Sequence, residues 1–388
     1  MRNYIQPFEF QLPSNLVYEL EAVKNRLSSE INFLNISKAL VVTDKGIVRA
    51  GLLGGIETSL KTGNIKYNVF DEVEPNPSTE TCCKCCEIAK SMKAGVIIAL
   101  GGGSPMDVAK AAAAMATNEG ELESYEGIAN FQNDPLPIIA IPTTTGTGSE
   151  VTPFIVITIL QRHYKMTIVS KKIIPKIALL DPTILTTMPT HIAASTGIDA
   201  LVHAIESYIN LAASPASEAF ATSAIRMIGK YLRSFTADRN DIEAAAGMIV
   251  ASTLAGVSFG VARLGNVHAM AHPLGGFFDL PHGVANAILL PHVMRFNMLA
   301  DNGKYKRIAS LLGEDVFRMT GREAAPLAID AVEKLCSDVN IPKTLSEVGI
   351  TADKIPQMAK DAMLSGNVKI NPRATTEQDI INLYHAAM

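Results

Sequence analysis

Little in this sequence points to a membrane, a nucleic acid or an oxidised scaffold. Residues 96–100 form an apolar run that ends in three glycines, and the run at 138–141 ends at Pro142, so neither reaches bilayer-spanning length. The first fifteen residues, MRNYIQPFEFQLPSN, lack the apolar centre of a signal peptide, and a cytoplasmic protein is expected. Basic residues do not cluster. The 34 Lys and Arg are interspersed with 38 Asp and Glu for a net charge of −4, which argues against a nucleic-acid partner. Cysteine is sparse and oddly placed: Cys82, Cys83, Cys85 and Cys86 crowd one segment, and Cys336 stands apart. Five thiols so arranged are not a disulfide framework. Their C-x-x-C spacings would suit a soft metal, but residues 78–92 read as a helix around which the thiols fan out. No second cysteine cluster completes a tetrahedral site. There is no internal repeat, and the usual G-x-G-x-x-G dinucleotide fingerprint is missing.

What is present describes a well-buried enzyme-sized chain. Hydrophobic residues make up 48% and charged residues 19% of 388, too long for one ordinary core, so two domains are expected. The first half alternates short apolar runs with helical stretches. Strands are expected at 38–44, 67–70, 95–100 and 137–141, a hairpin at 155–158 and 166–169, and a last strand at 177–180. Helices are expected at 47–62, 78–92 and 105–116. This grammar predicts an α/β domain with a parallel sheet and helices on both faces. After Pro189 the strands stop, and 193–211, 215–235, 241–257, 283–299, 304–312 and 321–337 carry helical spacing, with one last helix within 371–388. The expected organisation is therefore an α/β domain over 1–187 and an all-α domain over 188–388.

The strand at 95–100 runs straight into Gly101-Gly102-Gly103-Ser104-Pro105-Met106-Asp107. Ser104 reads as an N-cap, Pro105 as the first helical residue and Asp107 as a capping-box partner. Three glycines before a helix N-terminus let the backbone approach a phosphate closely, so a phosphate site is expected here. Asp44, at the tip of the strand 38–44, could hold both ribose hydroxyls and would repel a 2′-phosphate, favouring NAD over NADP; it could equally be a turn residue before Lys45-Gly46. A second polar loop, residues 142–150, suits phosphate or ribose contact beside it.

Four of the eight histidines fall between 268 and 292. Asp199 and His203 stand at i and i+4 in an apolar helical stretch, where a buried carboxylate needs compensation and a cation would supply it. His268 and His272 repeat the spacing, and His282 sits at a turn before another helix. Three histidines and one aspartate suit Fe²⁺ or Zn²⁺. The spacing alone does not choose between His268 and His272.

These motifs together resemble the iron-containing, or group III, alcohol dehydrogenases. The resemblance rests on GGGSPMD (101–107), PTTTGTGSEVT (142–152), Asp181-Pro182, GIDALVHAIESY (197–208) and HAMAHPLGGFFDLPHGVANAILLPHVMRFN (268–297). It is nearest to members acting on short alcohols and diols, the lactaldehyde:propanediol and 1,3-propanediol oxidoreductases. It implies a dehydroquinate synthase-like fold, with a dinucleotide-binding α/β domain and a helical metal-binding domain. It implies metal ligands at Asp199, His203, His268 and His282, and a proton-path role for His272. It carries cofactor contacts onto Asp44, Asn76, Gly102, Gly103, Ser104, Thr143, Thr144, Thr152 and Lys165, and a substrate-pocket position onto Phe154. The implied cofactors are NAD and Fe²⁺, with Zn²⁺ as the alternative metal. The implied activity is hydride transfer between NAD and a small alcohol or aldehyde, by a homodimer or larger homo-oligomer. Glycerol dehydrogenase, maleylacetate reductase and non-catalytic filament-forming relatives are the neighbouring readings. Dehydroquinate synthase shares the architecture, but it needs basic residues for an anionic substrate, and 197–208 and 268–297 hold only Arg295 besides histidine.

Overall fold

The computed structural model describes residues 15–162, 164–301 and 303–388, so the signal-peptide reading lies outside the described residues except at Asn15. The chain forms two compact units. One ends at Met188 and the other begins at Pro189, except that Thr145–Thr147 pack with the second.

In order along the chain, the first unit comprises β1 (Leu16–Tyr18), α1 (Ala22–Phe33), β2 (Lys38–Val42), α2 (Lys45–Arg49), α3 (Leu53–Thr62), β3 (Lys66–Phe70) and α4 (Thr79–Met92). It continues with β4 (Val96–Gly101), α5 (Gly103–Thr117), β5 (Gly127–Ile128), β6 (Ile138–Pro142), β7 (Phe154–Ile159), β8 (Tyr164–Val169) and β9 (Ile177–Leu180). Six strands form one sheet in the order β1-β9-β6-β4-β2-β3, every pairing parallel. Strand alternation explains why both faces are apolar. Leu40, Val42, Ile97 and Ala99 pack on one face with residues of α4 and α5. Ala39, Val41, Ile98 and Leu100 pack on the other with residues of α1 and α3. The expected hairpin is β7 with β8, extended by β5 into a small second sheet.

From β2 the sheet grows outward to β3 on one side and to β4, β6 and β9 on the other. The connection therefore switches direction between β2 and β4, and the crevice at the carboxyl ends of such strands is where ligands bind in open α/β sheets. Asp181, just after β9, accepts from the backbone N–H groups of Glu21, Val23 and Thr183, tying the start of α1 to the sheet.

One local expectation is corrected and one strand is added. The helix expected over 47–62 is two, α2 and α3, because Gly51 takes a left-handed φ of 78° between them. Three-residue β1 is too short to show a pattern. The CCKCC thiols lie on α4, where Cys82, Cys85 and Cys86 are buried in the apolar cluster and Cys83 packs against it. Burial raises all four thiol pKa values, so they pack as small hydrophobes and hold little thiolate at neutral pH.

The second unit is helical among its described residues: α6 (Thr190–Ile209), α7 (Pro215–Ala237), α8 (Ile242–Ala262), α9 (Asn266–Phe278), α10 (His282–Asn297), α11 (Lys304–Leu311), α12 (Gly321–Asp338), α13 (Ile355–Leu364) and α14 (Glu377–Ala387). Helix α8 is long and apolar enough to cross a bilayer by length and composition alone, unlike the runs at 96–100 and 138–141. Most of it is buried inside the protein, packed on α6 and α7, as a core helix is. Helix α9 escaped the pattern reading because Pro273, Gly275 and Gly276 interrupt it.

Candidate metal centre and cofactor cradle

In the first unit, Asp44, Gly102, Gly103, Ser104, Thr143 and Thr144 lie at the carboxyl ends of β2, β4 and β6, whereas Asn76 follows β3, Thr152 precedes β7 and Lys165 is on β8. Gly101 ends β4 with φ 154°, and a Cβ there would lie 2.5 Å from Pro105 Cγ, so no larger residue fits. The helix start differs from the expectation. Gly102 is the N-cap, α5 begins at Gly103, and Ser104 lies inside its first turn rather than capping it. No side chain caps α5, and Asp107 turns away to accept from Val156 N and Ser149 Oγ. The first N–H groups of α5 are thus left without a side-chain acceptor, as an anion site requires. A Cβ on Gly102 would lie 3.1 Å from Thr144 Cγ2, so the glycine loop and the threonine loop meet.

The hydroxyls of Thr143 and Thr144 are buried with no hydrogen-bond partner, as is that of Thr43 at the end of β2. Orphaned buried hydroxyls are costly, and a dinucleotide seated across these strand ends would supply partners, so the cradle fits such a cofactor. Asp44 makes the turn that the sequence allowed: its Oδ1 accepts from Gly46 N at 2.7 Å and Ile47 N at 3.0 Å, capping α2. Oδ2 is the oxygen that remains for a ribose. Asn76, in a left-handed conformation, accepts from Lys165 Nζ at 2.8 Å, so these two expected contacts come together. Glu74 orders that turn by accepting from Ser78 and Thr81. Burial opposes ionisation of Glu74, but these hydrogen bonds outweigh it and hold the pKa below the ordinary value.

Thr152 and Phe154 are held by an unexpected residue. Lys110 on α5 is fully buried and donates to Ser149 Oγ, to Thr152 O and to Phe154 O. Burial lowers its pKa to about 8 and raises that of its neighbour Asp107 to about 6.

In the second unit, α6 presents Asp199 and His203 on one face, both buried. Helix α9 brings His268 and α10 brings His282. Ligand atoms of Asp199, His268 and His282 all lie within 4.8 Å of one another. One amide nitrogen marks where they point: Asn286 Nδ2 is 2.6 Å from Asp199 Oδ1, 3.1 Å from His268 Nε2 and 3.0 Å from His282 Nε2. An amide has two hydrogens and cannot serve three acceptors, while Asn286 Oδ1 is buried without a partner. Three lone pairs converging on one point fit a cation.

His203 lies outside that group of three, but its ring stacks on His268 with centroids 4.6 Å apart. Its Nδ1 is 3.1 Å from Gly146 O, which fixes the proton on Nδ1 and leaves Nε2 as a lone pair. His272 is also outside the group, its ring 5.5 Å from that of His282. Burial lowers the pKa of His203. It lowers that of His268 strongly, helped by the imidazoles of His203, His282 and His272, so both rings are neutral as metal ligands must be. Burial raises the pKa of Asp199, against the pull of His203 and Asn286.

Two regions of the chain match family models: residues 13–182 match "Iron-containing alcohol dehydrogenase", and residues 193–388 match the C-terminal part of the same family. The chain belongs to the iron-containing alcohol dehydrogenase family. It is an oxidoreductase of the alcohol dehydrogenase class. It is 40% identical to the 1,3-propanediol dehydrogenase of Citrobacter freundii over 98% of both chains. It is 35% identical to the NAD-dependent methanol dehydrogenase of Bacillus methanolicus over 98% of this chain and 99% of that one. Its structure matches the crystal structure of a 1,3-propanediol oxidoreductase with a TM-score of 0.96, at 39% identity, over 99% of this chain and 100% of the other. The parallel sheet and helical C-terminal region are those of the family.

Sequence reasoning missed Thr43, Lys110, Glu206 and Asn286. Glu206 follows Asp199 by seven residues and His203 by three, and Asn286 follows His282 by four, so helical spacing held a signal for both. Lys110 gave none, because nothing local says that a lysine in an alanine-rich helix will be buried.

Proposed function

We propose that this member of the iron-containing alcohol dehydrogenase family transfers a hydride between NAD(H) and a short-chain alcohol, diol or aldehyde. The metal would be Fe²⁺, with Zn²⁺ as alternative, on Asp199, His203, His268 and His282. The observation that carries this reading is the convergence of Asp199 Oδ1, His268 Nε2 and His282 Nε2 on a single point. When bound, the metal supplies a Lewis acid for the alcohol or carbonyl oxygen.

The chain's own residues do the rest. Asp199 brings the negative charge and the neutral imidazoles bring lone pairs. His272, beside His282 and outside the ligand group, takes the hydroxyl proton towards solvent as the hydride passes from the carbinol carbon to the nicotinamide. Gly102, Gly103 and Ser104 at the start of α5 would hold the dinucleotide phosphates, with Thr143, Thr144 and Thr152 beside them. Asp44 Oδ2 and the Asn76–Lys165 pair hold its sugar and remaining polar groups, and Phe154 lines the substrate pocket. Residues 1–187 act as the cofactor domain and 188–388 as the metal domain, in a cytoplasmic homo-oligomer.

The test is NAD reduction on ethanol, butanol, 1,2-propanediol and 1,3-propanediol with protein loaded separately with Fe²⁺ and Zn²⁺. Turnover of at least one alcohol that disappears, together with bound metal, in His268→Ala is expected. Full activity in metal-free protein would sink the reading.

A further inference from the structure

Glu206 has no part in the chemistry above, yet its carboxylate touches the metal group. It lies on α6 beyond Asp199 and His203 and is 2% exposed. Both of its oxygens serve α9. Oε1 accepts from Val267 N at 2.7 Å, in the first turn of a helix whose N-cap, Gly265, offers no side chain. A Cβ on Gly265 would lie 2.9 Å from that oxygen. Oε2 is 2.7 Å from His268 Nδ1.

The direction of that last bond follows from both sides of the ring. The carboxylate oxygen beside Nδ1 accepts, and the amide nitrogen beside Nε2 is no acceptor, so Nδ1 carries the proton and Nε2 the lone pair. Turning the amide over would set its oxygen against Asp199 Oδ1 at the 2.6 Å now spanned by a hydrogen bond, which repulsion forbids. His268 therefore donates through Nδ1 to Glu206.

We propose that Glu206 is a positioning residue of the metal centre: it holds α9 at its first turn and fixes His268 in the tautomer whose Nε2 faces Asp199 and His282. A carboxylate behind a ligating histidine is a general means of orienting the ring and strengthening it as a ligand. The inference rests on the proposed metal reading and adds to it a residue that touches neither metal nor substrate.

The test is Glu206→Gln. Glutamine can keep an oxygen on Val267 N, but it turns an amide N–H towards His268 Nδ1, which must then accept, moving the ring proton to Nε2. Chelator competition with Zn²⁺ and with Fe²⁺ should show affinity lower by about 10–100-fold than in the unaltered protein. If the unaltered protein binds neither ion, the metal reading itself fails. If it binds and Glu206→Gln binds within twofold of it, only the role of Glu206 is overturned. A second measurement does not depend on the Glu206 variant folding. Nitrogen-15 spectra of histidine-labelled, metal-free protein, assigned with His268→Asn, should show His268 protonated at Nδ1, and protonation at Nε2 would overturn the proposal.

Discussion

At the residue scale, the sharpest distinction is between His268 and His272, four positions apart on one helix. His268 joins Asp199 and His282, while His272 lies outside that group, its ring 5.5 Å from that of His282. His272→Ala should therefore keep the metal and lose about 10²–10⁴-fold in kcat, the usual share of a proton-transfer group. Metal analysis alongside steady-state rates checks this, and loss of the metal would move His272 among the ligands. Gly101 makes the other residue-scale case. Its φ of 154° and its closeness to Pro105 leave no room for a methyl group. Gly101→Ala should cost about 1–3 kcal/mol of stability in denaturant titration and weaken NADH binding measured by fluorescence. Unchanged NADH affinity would argue that the glycine loop does not cradle the cofactor.

At the scale of elements, α5 does two things. Its N-terminus faces the glycine loop, and further along it carries half-buried Asp107 and buried Lys110, which grip residues 149–156. Thr152 and Phe154 thus owe their places to a helix distant in sequence. Lys110→Met keeps the bulk but leaves the carbonyl oxygens of Thr152 and Phe154 without the ammonium that serves them. Leaving a buried acceptor unsatisfied costs about 1–3 kcal/mol. Denaturation should show that loss, with the Michaelis constant for NAD rising more than kcat falls. A stability change under about 0.5 kcal/mol would mean that water enters and takes the place of the ammonium. Helix α9 was poorly legible, since proline and glycine masked its periodicity, and its rotation is set by packing on α10 and α13, by Glu206, which accepts from Val267 N, and by Tyr384, which donates to Met270 O.

At the scale of the whole molecule, the proposed cation would compensate the buried charge of Asp199. A ligand present at 100 times its dissociation constant stabilises the folded state by about 2.7 kcal/mol. Chelation should lower Tm of the metal-loaded protein by about 5–10 °C, at the few degrees per kcal/mol typical of units this size. Differential scanning calorimetry before and after dialysis against a chelator, with metal returned, checks this. An unchanged Tm would contradict a metal bound among Asp199, His268 and His282.

Much of this was legible in the chain itself because it is local. Apolar runs broken by helical spacing set the parallel sheet, three glycines after a buried strand marked a close backbone approach, and the four-residue step from Asp199 to His203 put both on one face of α6. Local geometry carries such statements because helix and strand periodicity fix which side chains share a face. Tertiary structure alone decided the rest: that Lys110 is buried and that α9 turns His268 towards Asp199. Each depends on a partner dozens of residues away. The rotation of a helix about its own axis is set by the groups it packs against, and a lone helix sequence presents all of its faces alike.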